Sequence, residues 1–296
     1  MMRRVLYVCA AIGLAAGVMG GFAWNHGAAV SLRGTMTPAG PNPEDGKVAN
    51  GSYKSDYFGL SYRLQPGWTV AETGPDPSQT AYYVLTTVVP DGAPNAAILI
   101  AAQDMFFAGD EAGNVADQAR DLQQTLSTTA GMTIDREAAE IKIADRPFYR
   151  VAYSGVGLYR ATITTEIRCH VVSFNLTARD PDLLNGLIQT LDRDLALAPV
   201  GAAAAALPCA KDYAMGDNVL HRIMPQPVGP RFVPIPARII VNADGSVRHV
   251  HVIRATGEQR RSIADALYRW KLKPYQVEGR ASPVETGLVF RFKGDN

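Results

Sequence analysis

Cysteine is scarce in this chain: three in all, Cys9, Cys169 and Cys209, in 296 residues. That is too few for a disulfide framework or a Cys-rich zinc site. A dominant charge is lacking too. Lys and Arg number 29 against 28 Asp and Glu, for a formal net charge of +1, so there is no electrostatic case for nucleic acid as a partner. The usual catalytic signatures are missing. There is no Walker-type glycine loop, no His-Glu-x-x-His and no Gly-x-Ser-x-Gly elbow. Cys169 and His170 are adjacent, and neighbours in a strand point to opposite faces, so they form no dyad with each other. His249 and His251 share a strand face, but no third ligand is visible, and a solvated sheet face is expected there rather than a metal site. The sequence therefore predicts no catalytic residue, no cofactor and no metal.

What is present begins with an export signal. Met1-Met-Arg-Arg4 is basic, and Val5 to Trp24 carries no charge. A cleaved signal needs an apolar run of roughly 7–15 residues, and a spanning helix needs about 20. Both readings of residues 1–24 send the rest of the chain across the membrane, with Arg3 and Arg4 held inside. The expected location is the periplasmic side of the inner membrane, by anchor or after cleavage. Residues 25–52, rich in Gly, Pro, Ala and Asn, read as a flexible tether. Cys169 and Cys209 are the two cysteines beyond the N-terminal segment. Cys169 reads either as a buried small hydrophobe or as half of a pair with Cys209 that, in an oxidising periplasm, pins the linker to the first domain.

Hydrophobic residues make up 47% of the chain, enough for packed cores. Residues 53–198 form the first folded unit. Two short aromatic strands lie around Tyr53 to Tyr62, and the Pro66-Gly67 turn leads to Trp68, expected as a core residue. Tyr82 to Val89 and Ala96 to Gln103 read as strands, Glu111 to Thr129 as a helix, and Ile134 to Ala178 as successive strands. A last helix opens at Asp180-Pro181, with Asp180 as cap, and ends near Ala198. Strands, helix, strands, helix is an α+β order with an antiparallel sheet. This order, with Tyr57-Phe-Gly-Leu-Ser-Tyr62 and Leu64-Gln-Pro-Gly-Trp68, resembles the PsbP-like superfamily, whose members are mostly binding or assembly proteins.

A Pro-, Ala- and Gly-rich linker, 199–233, leads to a smaller unit, 234–293, with the order ββαβ. Ala237 to Ala243 and Ser246 to Ala255 are strands around Asp244-Gly245, a pair that favours a type I′ hairpin turn. Glu258 to Trp270 is an amphipathic helix with Ile263, Ala266, Leu267 and Trp270 on one stripe, and Pro274 stops it. In the last strand Val284, Thr286, Leu288, Phe290 and Phe292 face one way, and Glu285, Gly287, Val289 and Arg291 the other. The residues Ile239-Ile-Val-Asn-Ala-Asp-Gly-Ser-Val247, Arg254-Ala-Thr-Gly257, Ala266-Leu-Tyr-Arg-Trp-Lys-Leu-Lys-Pro274, Glu278-Gly-Arg280 and Val289-Phe-Arg-Phe292 resemble the C-terminal domain of TonB, the envelope energy transducer. The resemblance implies a non-enzymatic envelope protein. Its partner would be a protein segment, such as that of an outer-membrane receptor, added as a strand to an exposed sheet edge. Val284, Thr286, Leu288, Val289, Phe290 and Phe292 are the residues expected on that edge. Trp270, Pro274, Trp68 and Gly245 are expected to be structural. Two family features are missing: the long spacer with Lys and Glu, and a polar pair in the anchor, since Val5 to Trp24 holds neither Ser nor His. A periplasmic enzyme, or a structural module whose last unit only localises it, is the alternative.

Overall fold

The computed structural model describes residues 41–72, 74–92, 95–109, 114–198, 207–229 and 233–292. Four short strands, β1 (Lys47–Ala49), β2 (Ser52–Ser55), β3 (Leu60–Arg63) and the much later β11 (Leu195–Leu197), make an antiparallel sheet in the order β1-β2-β3-β11. A larger one contains β4 (Trp68–Glu72), β5 (Tyr82–Pro90), β6 (Ala96–Asp104), β7 (Met132–Ile143), β8 (Arg146–Gly155), β9 (Leu158–Ile167) and β10 (His170–Ala178). Its order is β4-β5-β6-β10-β9-β8-β7, antiparallel throughout. The β7 to β10 meander turns at Ala144-Asp145, Val156-Gly157 and Arg168-Cys169, with positive φ at all six positions. Two-residue turns of this kind match the right-handed twist of the strands they join.

Two helices cover opposite faces of the large sheet. α1 (Val115–Ser127) is capped by Asn114, which accepts from the Asp117 N–H, and α2 (Pro181–Asp194) by Asp180, which accepts from the Asp182 and Leu183 N–H groups. In β8, Val151 and Tyr153 join Ala119 and Leu126 of α1. Phe148 and Ala152 point the other way, into the core with Phe174, Leu187 and Leu191. This is the period-two alternation of a strand buried on both faces. α2 does not run on to Ala198. It leaves the helix at Leu195, and Leu195–Leu197 pairs with β3 instead. Trp68 is half-buried on β4, the outermost strand, so it packs on the rim of the core rather than anchoring it.

The second part holds β12 (Val219–His221), β13 (Ile235–Val241), β14 (Val247–Val252), α3 (Gly257–Leu267), β15 (Lys271–Leu272), β16 (Tyr275–Val277), β17 (Arg280–Ser282) and β18 (Val284–Phe290). The main sheet is antiparallel with the order β14-β13-β18, and β12 pairs with β15. The β13–β14 turn is not type I′. Gly245 alone has positive φ, its N–H reaches Asn242 O, and the Asn242 N–H reaches Ser246 O, which is a type I turn followed by a left-handed glycine. A Cβ at Gly245 would lie 2.0 Å from Leu272 O, so the close approach of β15 also requires glycine here.

α3 begins with a capping box in which Thr256 accepts from Gln259 N–H while the Gln259 side chain accepts from Thr256 N–H. It ends at Leu267, three residues earlier than the apolar stripe suggests. The last turn tightens through Arg269 N–H to Ala266 O and Trp270 N–H to Leu267 O, which tucks Trp270 beneath the helix, 4% exposed. Pro274 lies beyond β15 and is exposed, so it does not end the helix. The end comes from the pairing of Lys271–Leu272 with β12.

The architecture is α+β, with mostly antiparallel sheets and three α-helices among the described residues. Among those residues no helix is long and apolar enough to cross a membrane. The expected signal or anchor at 1–24, and the tether as far as residue 40, lie outside the described residues. From residue 41 the tether is folded, through a 3-10 turn at Pro43–Asp45 and then β1. The described part of the linker is folded as well: Ala214, 2% exposed, sits in the core with Ile239, Leu267 and Trp270. The described residues fall in one compact unit.

Candidate docking edge

The last sheet is covered on both faces. On β13, Ile235, Ala237, Ile239 and Val241 join the α3 core. Pro236 and Arg238 alternate with them and are buried on the opposite face, against the first part of the chain. β18 follows suit, with Val284, Leu288 and Phe290 in the α3 core and Glu285 and Gly287 buried on the other side.

Arg238 joins the two parts. It is 3% exposed. Its Nη1 donates to Asp104 Oδ2 at 2.7 Å and its Nη2 to Arg168 O at 3.0 Å. It also pairs with the Glu285 carboxylate and lies over the Phe106 ring, 4.7 Å from the centroid. Asp104 accepts a further bond from the Phe106 N–H at 2.9 Å, and Glu285 one from Arg168 Nη2 at 3.0 Å. Arg168 in turn stacks over Tyr57 at 4.1 Å. Buried charges persist when paired and hydrogen-bonded in this way. Burial pushes the Asp104 carboxyl up, against the pull of Arg238. Burial would raise Glu285 as well, but the Arg238 and Arg168 charges outweigh it and hold that carboxyl below its usual range.

His170 faces Asp104 across the β6–β10 register. Its Nδ1 lies 2.7 Å from Arg168 O, which can only accept, so Nδ1 carries the proton. Its Nε2 is 3.6 Å from Asp104 Oδ2, beyond hydrogen-bond range. Burial, then the Arg238 charge, keeps the imidazole well below its ordinary pKa. The ring is neutral, and the approach to Asp104 is not an ion pair. The Tyr57, Phe58 and Tyr83 rings surround it at 5.4, 5.2 and 6.0 Å. His251 departs from the solvated face expected of it: it is 8% exposed, and its Nε2 lies 2.8 Å from Glu44 Oε1.

The outer edge of β18 is closed at one rung by the chain itself. The Glu285 N–H donates to Pro208 O at 2.9 Å, and Glu285 O accepts from the Ala210 N–H at 3.0 Å. The segment runs parallel to β18, with Cys209 opposite Glu285. Cys209 is disulfide-bonded to Cys169, with the Cα atoms 5.8 Å apart. Because both backbone groups of Glu285 point outward, those of Gly287 and Val289 do too. Pro236, opposite Val289, agrees: it has no N–H, and its carbonyl is bonded to Ile253. Gly287 is buried against Phe106 and Phe107, which lie 2.7 and 2.8 Å from where its Cβ would be. Val289 is 48% exposed.

An open border along 284–292 is therefore corrected. Val284 and Thr286 are fully buried, Leu288, Phe290 and Phe292 are buried, and of the six expected docking residues only Val289 reaches solvent. The side chains of Val284, Leu288, Phe290 and Phe292 sit in the α3 core on the inner face, and the backbone edge is covered at Glu285. The composition of 207–210 gives little sign of this, although its proline and its cysteine, Pro208 and Cys209, are where the pairing occurs. Arg238 and Asp104 are not among the residues the sequence points to either. A cleft of about 650 Å³ also lies where the two parts meet, lined by Glu44, Tyr53, Leu85, Ile253, Arg254 and Arg260 among others.

No family model matches the chain, and no curated protein matches it. The comparisons do not support a TonB family assignment. Among solved structures, cyanobacterial PsbP from Synechocystis is 13% identical, with 57% of this chain and 98% of that one covered at a TM-score of 0.37. LpqN of Mycobacterium tuberculosis, described as involved in cell envelope biogenesis, is 14% identical, with 47% and 83% covered at 0.34. The Ran-binding protein Mog1p of Saccharomyces cerevisiae is 11% identical, with 47% and 90% covered at 0.32. These are weak structural resemblances, and at such scores they identify neither an activity nor a partner.

Proposed function

We propose that the chain is an exported, non-enzymatic binding protein of the cell envelope, TonB-like in its last sheet, that takes an extended protein segment onto the outer edge of β18. One observation carries this reading. That edge already pairs, in parallel, with an extended segment, the chain's own Pro208–Ala210. A sheet edge that satisfies a passing backbone in this way has the hydrogen-bonding geometry strand addition needs. Arg238 and the ion pairs around it hold β13 and β18 against the larger first part of the chain, so the edge is presented on a rigid body. The partner class implied by the sequence resemblance is an outer-membrane receptor, with a role in transport across that membrane.

The test is a photo-crosslinking residue at Val289 in intact envelopes, under oxidising and reducing conditions, with the same probe at Val156 as control. Val156 is 90% exposed, on the turn between β8 and β9. The expected result is a discrete crosslinked envelope protein from Val289 and none from Val156. Identical products from both positions, or none from Val289 in either condition, would rule the reading out.

A further inference from the structure

We propose that the Cys169–Cys209 disulfide is a latch on the docking edge: while it is intact, Pro208–Ala210 occupies the β18 rung at Glu285 and bars an incoming strand, and its reduction frees that rung for an extended protein segment entering parallel to β18. This rests on the docking reading and adds its regulation. Three observations support it. Among the described residues the covering segment makes one rung of pairing, at Glu285, before the chain turns away at Lys211. Its covalent hold is the disulfide, whose other half, Cys169, is 1% exposed in a turn where Arg168 and Cys169 both have positive φ. Cys209 is exposed, so a thiol has access from the side of the cover, while Cys169 is sealed on the side of the fold. The same turn carries Arg168, which bonds Glu285, so latch and edge share one scaffold.

The chemistry is thiol–disulfide exchange with a dithiol reductant. One thiolate of the reductant attacks Cys209 Sγ, the Cys169–Cys209 bond breaks, and Cys169 leaves as a thiolate and takes up a proton. The second thiol of the reductant then attacks its own sulfur in the mixed disulfide. Cys209 is released as a thiol, the reductant becomes a disulfide, and two electrons have passed to the protein pair. With the bond gone, the rung keeps two backbone hydrogen bonds, and the chain just after it stays seated through Tyr213 and Ala214 on the α3 core, so the piece left to swing is Pro208–Ala210. A single rung at a sheet edge, here between Glu285 and half-buried Pro208 and Ala210, opens locally more often than the core does. An incoming strand can then replace its hydrogen bonds one for one.

The experiment uses the full chain in three forms: disulfide-bonded, reduced with dithiothreitol, and Cys209→Ser. The probe is a synthetic peptide of residues 205–213 carrying serine at 209, and Val289 bears the photo-crosslinking residue. The amides of Ala210 and Glu285 are followed by hydrogen exchange, with those of Ile239 and Leu267 as core references. The disulfide-bonded form is expected to protect Ala210 and Glu285 and to leave the peptide unlabelled. Reduction or Cys209→Ser is expected to speed both amides at least tenfold, leave Ile239 and Leu267 unchanged, and allow the peptide to crosslink. Equal protection in all three forms overturns the latch. Loss of protection at Ile239 and Leu267 on reduction also overturns it, since the disulfide would then be holding the fold. If reduction opens the rung but no envelope protein is captured at Val289, the latch stands and the docking reading fails. If a partner is captured equally in both redox forms, the docking reading stands and the latch fails.

Discussion

Arg238→Ala is expected to lower the unfolding free energy by about 3–5 kcal/mol at neutral pH, the range for removing one partner of a buried ion pair. The reason lies in what remains. Asp104 is fully buried and Glu285 is 2% exposed, and without the guanidinium two carboxylates share one dry site with Arg168 bonded to only one of them. The sign of the pH dependence follows. In the native chain the Glu285 carboxyl is held low, so its contribution is present above its ordinary pKa and is lost as pH falls through the lowered one. In the variant, burial with the main counter-charge gone raises the carboxyls. Their contribution is then present in acid and is lost as pH rises through the raised value. The gap between native chain and variant should therefore narrow from about pH 7 to about pH 4. Arg238→Met combined with Asp104→Asn and Glu285→Gln should recover much of the loss, because no unpaired charge is left. Urea unfolding followed by circular dichroism checks all of this. A loss below about 1 kcal/mol, or one that does not vary with pH, would show that the network does not join the two parts.

Trp270→Ala is expected to cost about 3–5 kcal/mol, the range for deleting a large aromatic from a core. Trp270 is 4% exposed, its ring centroid lies 6.3 Å from that of Phe290, and its Nε1 donates to Ile223 O at 2.8 Å. Arg222 stacks over the indole at 5.1 Å. The truncation therefore opens a cavity under α3, leaves a part-buried carbonyl without its donor and frees the segment that carries β12. Because the sheet beneath is tied to the first part through Arg238, the loss should appear as an earlier single unfolding transition rather than as separate melting of the last unit. Trp270→Phe, which keeps most of the ring and loses the hydrogen bond, should cost less. Far-UV circular dichroism against urea measures both, and an unchanged midpoint for Trp270→Ala would remove the indole from the core.

Much of the local structure is legible in the sequence, because period and turn chemistry are local. The alternation of Val284 to Phe290, the α3 stripe through Ile263, Ala266, Leu267 and Trp270, and the Asp180-Pro181 helix start all appear where their side chains require. What is hidden is long-range. Arg238 looks like a strand residue on a wet face until Asp104 and Glu285 are brought to it across separations of 134 and 47 residues. The signal available was a lone arginine inside Ile235-Pro-Ala-Arg-Ile-Ile-Val241, a run otherwise apolar on both faces, facing a strand with a lone glutamate. The cover at Pro208–Ala210 is hidden for a different reason. A single rung of parallel pairing leaves no periodic trace, and Pro208 reads as a linker residue while its carbonyl does the bonding. The α2 exit into β11 is similar: Leu195-Ala-Leu197 suits a helix by propensity, and pairing with β3 overrides that preference.

Amide hydrogen exchange along β18 in the disulfide-bonded chain tests the central claim most directly. The edge is held to be closed at Glu285 by Pro208–Ala210 and exposed at Val289, so the Glu285 amide should exchange as slowly as its inward-pointing neighbour Thr286, and the Val289 amide as fast as a surface amide. A fast Glu285 amide, or a Val289 amide as protected as that of Leu288, would contradict it.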